Sequence, residues 1–238
     1  VTVDPLLLMP EVDRATERLL RTADRLDDAA ARGPSLLPGW TRGHVLTHLA
    51  RQADAQVNLL TSARTGEVIP AYRDEQARAT DIAAGADRSP ADLAADLRAA
   101  AARLVDACAA MPPQAWSAQV IGRRGPQPAA TVLWGRLREV EVHHVDLAAG
   151  YAPIDWPAAF AHRLLHEVTA DLDGRPGRPA LVLRPCERRH ELTVGEPEGA
   201  PTVSGPAYAI AAWLTGRGDG DGLTVSPDGP LPTPPEWI

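Results

Sequence analysis

The sequence predicts an α+β protein: a four-helix bundle followed by a small α/β domain. Three observations carry this. From Met9 to Leu172 the chain is a succession of long stretches with apolar residues at helical spacing. At Asp173-Gly174-Arg175-Pro176-Gly177 the character changes to a turn-forming run. Beyond it come short segments rich in Val, Leu and Thr, which read as strands. The domains are therefore placed at 1–173, the bundle, and 174–238, the α/β domain with its Pro-rich tail. A chain of 238 residues is long enough to bury a core in each.

Taken in order, Met9 to Ala31 is amphipathic, with Val12, Ala15, Leu19, Leu20, Ala23 and Leu26 among charged residues, and Gly33-Pro34 closes it. Pro38-Gly39 is a turn. Thr41 then caps a second helix from Arg42 to about Ala63, ended by Thr65-Gly66. A short polar helix spans roughly Arg73 to Ala84. Ser89-Pro90 starts the next helix, Ser at the N-cap and Pro at the first helical position, and Pro112-Pro113 stops it. Trp116 to Pro128 reads as a loop or short hairpin, with Arg123-Arg124 at a solvated tip. The central helix runs from about Ala129 to Ala149, and a further helix from Asp155 to Leu172. In the second domain, Ala180–Leu183, His190–Val194, Pro201–Ser204 and Leu223–Ser226 read as strands, and Pro206–Thr215 as an apolar helix. The tail Pro227–Pro235 is extended, with Trp237 placed to pin it.

Composition narrows the function. Hydrophobic residues make up 45% of the chain, as expected of a globular protein, and the net charge of −7 argues against a nucleic-acid partner. All 24 basic residues are Arg. The two cysteines, Cys108 and Cys186, are too few for a disulfide framework and lack C-x-x-C spacing, which fits a reduced, cytoplasmic setting. Leu6 to Met9 is too short and lacks the basic flank of a signal-peptide core, and no stretch approaches a membrane span.

The chemistry concentrates in Leu133–Asp146, L-W-G-R-L-R-E-V-E-V-H-H-V-D. On a helix, Glu139, His143 and Asp146 fall on one stripe at spacings of four and three, so successive members stack. Glu and His one turn apart can reach a single cation, although many surface helices carry such a pair as a local interaction. A third ligand has to come from elsewhere, and His48 is the best candidate. Two His and one carboxylate suit Zn²⁺ and leave a position open for water or substrate. His44 and His48 are themselves one turn apart, and spacing alone does not choose between them. Asp146 could orient a ligand imidazole or sit at the wet end of the helix. His144 falls on the apolar face, as a core histidine or a support for the site. Cys108, among Ala, Leu and Val, reads as a buried inert thiol, and nothing near Cys186 activates it. Gly216-Arg217-Gly218 is either a helix C-cap or a device that holds out an Arg for a carboxylate. The G-x-S-x-G, P-loop and dinucleotide motifs are absent.

Leu37-Pro38-Gly39-Trp40-Thr41-Arg42-Gly43-His44-Val45-Leu46-Thr47-His48 and Arg138-Glu139-Val140-Glu141-Val142-His143-His144-Val145-Asp146, taken together, resemble the mycothiol-dependent maleylpyruvate isomerase family of DinB-like metal-binding bundles. Ala63-Arg64-Thr65-Gly66-Glu67, Gly150-Tyr151, Asp155-Trp156-Pro157 and Ala212-Trp213-Leu214-Thr215-Gly216-Arg217 agree in order along nearly the whole chain. The resemblance implies His48 rather than His44 as metal ligand, with Glu139 and His143. It implies Asp146 and Arg217 as further active-site residues, Arg217 reaching from the second domain towards the metal.

It also implies a chemistry: a divalent metal, Zn²⁺ or similar, binds the mycothiol thiol and lowers its pKa. The thiolate adds to the cis double bond of maleylpyruvate, the new single bond rotates, and elimination gives fumarylpyruvate and the regenerated thiol. The resemblance gives Arg217 a part in binding the mycothiol cofactor as well, and its planar fork suits a carboxylate of the dianionic substrate. The expected protein is a cytoplasmic monomer or weak homodimer. The alternatives are a mycothiol S-transferase acting on another electrophile and a non-catalytic metal-binding stress protein. The Gly122–Pro128 segment is more basic and Pro-rich than the family's loop, which leaves room for a different substrate if that segment borders the site.

Overall fold

The structure, a computed structural model, describes residues 4–123, 125–187, 190–234 and 237. Arg124 of the expected loop tip and Pro235 of the expected tail lie outside them. The chain forms two compact units, Val1–Gly150 and Tyr151–Ile238.

In the first unit, α1 (Pro5–Ala23) begins earlier than its apolar pattern suggests. Asp4 accepts from Leu6 N, and Pro5 occupies the first turn, where its missing N–H leaves no bond unmade. The expected single helix to Ala31 is broken: Asp27 accepts from Ala30 N at 2.7 Å and starts a separate α2 (Asp28–Arg32). An Asp side chain that satisfies backbone amides locally competes with continuation of the helix. Helix α3 (Arg42–Thr65) is capped as expected by Thr41 and ends at Gly66, whose φ of 79° is the left-handed value a C-cap requires. Asp74 caps α4 (Glu75–Ala86) and Ser89 caps α5 (Pro90–Ala109). The strands β1 (Gln119–Gly122) and β2 (Gly125–Pro128) form the hairpin, with Gln119 opposite Pro128 and Gly122 opposite Gly125. Helix α6 (Thr131–Asp146) follows.

Four long helices make the bundle. α3 packs on α5 and α6, and α1 packs on the same two, burying Leu19, Leu46, Leu49, Leu97, Leu133 and Leu137 almost completely. Arg136 is fully buried, and its Nη1 donates at 2.8 Å to both the Leu49 carbonyl and Gln52 Oε1, tying α6 to α3. Burial lowers its pKa only to about 10, so the guanidinium stays charged at neutral pH.

The second unit opens with a 3₁₀ turn, Pro153–Asp155, and α7 (Ala158–Asp173). Its sheet has the order β4-β3-β5-β6, built from β3 (Leu181–Pro185), β4 (Leu192–Val194), β5 (Thr202–Gly205) and β6 (Thr224–Ser226). Only the β3–β5 pair is parallel. Helix α8 (Ala207–Leu214) packs on α7 and on β5. The sequence places α7 in the bundle, whereas it packs on α8 and β4 and counts with the second unit. An amphipathic helix carries an apolar face without naming the surface that will cover it. Trp237 is buried and its Nε1 donates to Asp171 Oδ2 at 3.2 Å, so the tail is pinned on α7. None of the described helices is long and apolar enough to cross a membrane.

Two glycines in the bundle should respond in opposite directions to gaining a methyl group. A Cβ at Gly43 would collide with the Ala86 carbonyl where α3 and α4 approach, so Gly43→Ala should destabilise by about 1–3 kcal/mol. At Gly135, inside α6, the nearest atom to a new Cβ is Gln56 Nε2 at 3.7 Å. Gly135→Ala should therefore stabilise by about 0.5–1 kcal/mol through helix propensity. Urea midpoints of the two variants check both signs.

Candidate metal centre

The site is built where α3 and α6 face each other. Glu139 and His143 stand one turn apart on α6, and His48 enters from the second turn of α3. His48 Nε2 lies 3.0 Å from Glu139 Oε2, and His143 Nε2 lies 3.3 Å from the same oxygen. The two imidazoles meet edge to face, with centroids 4.8 Å apart. One ligand atom from each of His48, Glu139 and His143 lies within 4.8 Å of the others, and among the described residues this is the group able to hold a metal ion.

The donor set fits such an ion. Ligands at roughly 2.0–2.2 Å around a tetrahedral Zn²⁺ stand about 3.3–3.6 Å apart. Two of the three separations are already close to that value. The His48 side chain is 5% exposed, but Glu139 and His143 keep 23% and 17%, so the centre is buried on the α3 side and open on the α6 side.

Supporting groups fix the ligands. Asp146 is buried and its Oδ2 lies 2.8 Å from His143 Nδ1, which places the ring proton there and turns Nε2 towards Glu139. Trp40 packs edge-on against the His48 ring at 5.6 Å. Arg42 holds the end of α6: Nε donates to the Leu147 carbonyl at 2.6 Å and Nη2 to Ala148 at 3.0 Å. Beside them, Leu36 N donates to the Asp146 carbonyl at 2.8 Å, so the Leu-Pro-Gly-Trp loop is tied to the same helix end.

The remaining candidates separate. His44 closes the capping box of α3, its Nδ1 accepting from Thr41 N at 3.3 Å, which leaves it outside the group. His144 points the other way, with Nε2 2.8 Å from Thr22 Oγ1 on α1. Arg217 follows α8 in the second unit. Gly216 has φ 71°, Arg217 N donates to Ala212 O, and Gly216 N donates to Trp213 O, which is a Schellman cap. The Arg217 side chain donates to Thr215 O at 2.7 Å. Cys108 is buried, which pushes its thiol up to about 12, while Cys186 is exposed.

Sequence reasoning missed Arg78. Its Nη2 lies 3.3 Å from His48 Nδ1, its Nη1 donates to Glu75 Oε1 at 3.2 Å, and its guanidinium stands 5.7 Å from the centroid of the Tyr72 ring. Arg123, in the turn after β1, reaches the same Glu75 oxygen at 3.4 Å. The hairpin is thus linked through α4 to His48. Neither residue lies on a motif that announces it.

The charges explain how the cluster holds together before a cation binds. Burial alone would raise the Glu139 pKa, but hydrogen bonds with His143 and His48 hold it well below the usual carboxylate range. Burial lowers the His48 pKa, so that ring is neutral. Burial also opposes a charge on His143, but hydrogen bonds to Asp146 and Glu139 override it and push that pKa up to about 9. A proton on His143 therefore stands in for part of the metal's charge.

The sign of the pH dependence follows. A folded-state pKa above the ordinary 6.5 means that His143 stabilises the metal-free protein fully below pH 6.5 and loses that contribution as pH rises through about 9. Metal must displace the same proton. Apparent Zn²⁺ affinity should rise by about tenfold per pH unit between pH 6.5 and 9, with about one proton released per ion. Calorimetry in buffers of different ionisation enthalpy checks this; zero proton release at pH 7 would contradict it.

Comparison with known proteins places these features in a family. A model of the mycothiol maleylpyruvate isomerase N-terminal domain matches residues 12–148, and a model of the corresponding C-terminal domain matches residues 155–236. A crystal structure of the mycothiol-dependent maleylpyruvate isomerase is 33% identical, with a TM-score of 0.92 over 98% of this chain and 97% of that one. A single-substitution mutant of a mycothiol-dependent maleylpyruvate isomerase is 32% identical, with a TM-score of 0.91 over the same shares. Comparison with curated proteins gave no match. With both units matched in order and the solved structures similar over nearly their full length, the chain belongs to the mycothiol maleylpyruvate isomerase family.

Proposed function

We propose that this protein is a mycothiol- and divalent-metal-dependent maleylpyruvate isomerase, converting maleylpyruvate to fumarylpyruvate. The observation that carries the reading is the convergence of His48, Glu139 and His143, with Asp146 behind His143, in a chain similar to a solved isomerase along 98% of its length. A divalent cation, Zn²⁺ by its donor set, would there lower the pKa of the mycothiol thiol.

The residues of the chain have distinct roles in this reading. His48 and His143 present neutral imidazole nitrogens, and Glu139 supplies one negative charge. Asp146 keeps the His143 proton on Nδ1 and so keeps Nε2 available. Arg217 is proposed as a ligand for a substrate carboxylate. With a net charge of −7, the protein is inferred to act on small molecules rather than nucleic acid. Its two free cysteines support a reduced, cytoplasmic setting, and a monomer or weak homodimer is proposed.

Metal content of protein purified without chelators, together with turnover of maleylpyruvate with and without mycothiol, tests the proposal. Near one equivalent of metal and strictly thiol-dependent conversion are expected. Metal without conversion would overturn the isomerase reading in favour of thiol transfer to another electrophile, and absence of metal would overturn both. His48→Ala should lose metal and activity together. Asp146→Asn should weaken metal binding by about 10–100-fold, because the His143 tautomer is no longer enforced. Arg217→Met should keep the metal and lose activity, which a non-catalytic metal-binding protein would not show.

A further inference from the structure

We propose that Arg78 and Arg123 form a carboxylate-binding subsite beside the metal centre, with Glu75 as the counter-ion that a substrate carboxylate displaces. The inference rests on the isomerase reading for the identity of the substrate, and on the first unit alone for its geometry.

Arg78 projects from the first turn of α4, and its side chain is only 14% exposed. Without a bound metal two contacts fix it: the Tyr72 ring against the guanidinium, and Nδ1 of His48, which accepts from Nη2 at 3.3 Å. A cation on His48 Nε2 would put the ring proton on Nδ1 and release the guanidinium from that contact. A guanidinium held against an aromatic face is oriented in advance and loses little freedom when it binds an anion. Its contact is with Nδ1 of His48, across the ring from the Nε2 that faces Glu139. Tyr72, which it faces, interacts electrostatically with Arg78 and Glu139 alike, so its charge stands one imidazole ring behind the proposed centre.

Glu75 fits the role of a displaceable partner. A single oxygen, Oε1, serves both Arg78 at 3.2 Å and Arg123 at 3.4 Å. The Glu75 and Arg123 side chains are 64% and 68% exposed, and ion pairs so open to water contribute little. Two guanidinium groups share one solvated carboxylate oxygen. A bidentate carboxylate from a bound molecule makes shorter, better aligned hydrogen bonds and wins that exchange.

This assigns a purpose to the basic hairpin. Arg123 lies in the turn between β1 and β2, so the composition of this turn adjusts the charge around Glu75. A substrate carrying two carboxylates suits a centre with a cationic group to one side. An uncharged electrophile would gain nothing from it.

The test is calorimetric titration of the Zn²⁺-saturated protein with maleate, a dicarboxylate probe that requires no turnover and so remains readable if isomerisation is not observed. Arg78→Met should raise the maleate Kd by about tenfold or more, and Arg123→Gln by a smaller factor. Glu75→Gln should lower the maleate Kd severalfold, an opposite sign that misfolding would not produce. Arg78→Lys should fall between wild type and Arg78→Met. Mycothiol affinity should be unchanged throughout. The proposal is overturned if the Arg78→Met protein binds maleate as wild type does once saturated with Zn²⁺, since Arg78 would then be only a prop for His48. It is equally overturned if Glu75→Gln weakens maleate binding, or if the Arg variants impair mycothiol binding and leave maleate binding unchanged.

Discussion

The site depends on the registration of α3 against α6. His48 belongs to one helix and Glu139 and His143 to the other, and a slip of one residue along either would turn the donors to different faces. Hydrogen bonds on both sides of the site prevent that slip. At the C-terminal end of α6, Arg42 binds the carbonyls of Leu147 and Ala148, where the helix presents acceptors without partners of its own. Before Glu139, the buried Arg136 binds the Leu49 carbonyl and Gln52. Each is a charge-assisted bond, worth about 1.5–3 kcal/mol. The three donors lie between these two clamps, so their separations are set by the backbone rather than by flexible side chains.

Within that frame the electrostatics favour exchange of a proton for a metal ion. Glu139, half-buried and held between two imidazoles, gains a counter-charge from His143, which is charged at neutral pH. Asp146 does two things at once: it stabilises the proton on Nδ1 and leaves Nε2 directed at Glu139. Losing the second proton of His143 leaves Nε2 free to bind a cation without any movement of the ring. The same two carboxylates therefore hold the site together in both states, and a preformed site needs little reorganisation on loading.

What the sequence made legible was mostly local. Thr41, Ser89 and Gly66 mark their helix ends because capping is decided within a few residues. The Glu139–His143–Asp146 stripe follows from helical periodicity alone, and its mutual contacts at 2.8 and 3.3 Å are of that local kind. Choosing His48 over His44 needed a family pattern, because both lie on one helix at one-turn spacing; the structure gives His44 a capping bond with Thr41. Misjudged features share a cause. The break at Asp27 is a competition between a side chain and a helix, which an apolar pattern does not register. The packing of α7 on α8 and β4 is a tertiary choice. Arg78 was invisible because an arginine in a polar helix ordinarily lies in solvent, and only packing against Tyr72 and His48 distinguishes it.

The balance of charge around the proposed centre bears on what such arginines would contribute. A divalent ion bound by Glu139 would carry one net positive charge, and the buried carboxylate of Asp146 would offset it nearby. The centre as a whole is then close to neutral, and the chain around it has a net charge of −7. Long-range steering of an anionic substrate is therefore unfavourable, and screening confines any attraction to roughly 8–10 Å. Attraction for a dianion has to be generated by cations close to the metal. Arg78 is in contact with a proposed ligand of the ion, and its proposed counter-ion Glu75 is held loosely enough to leave.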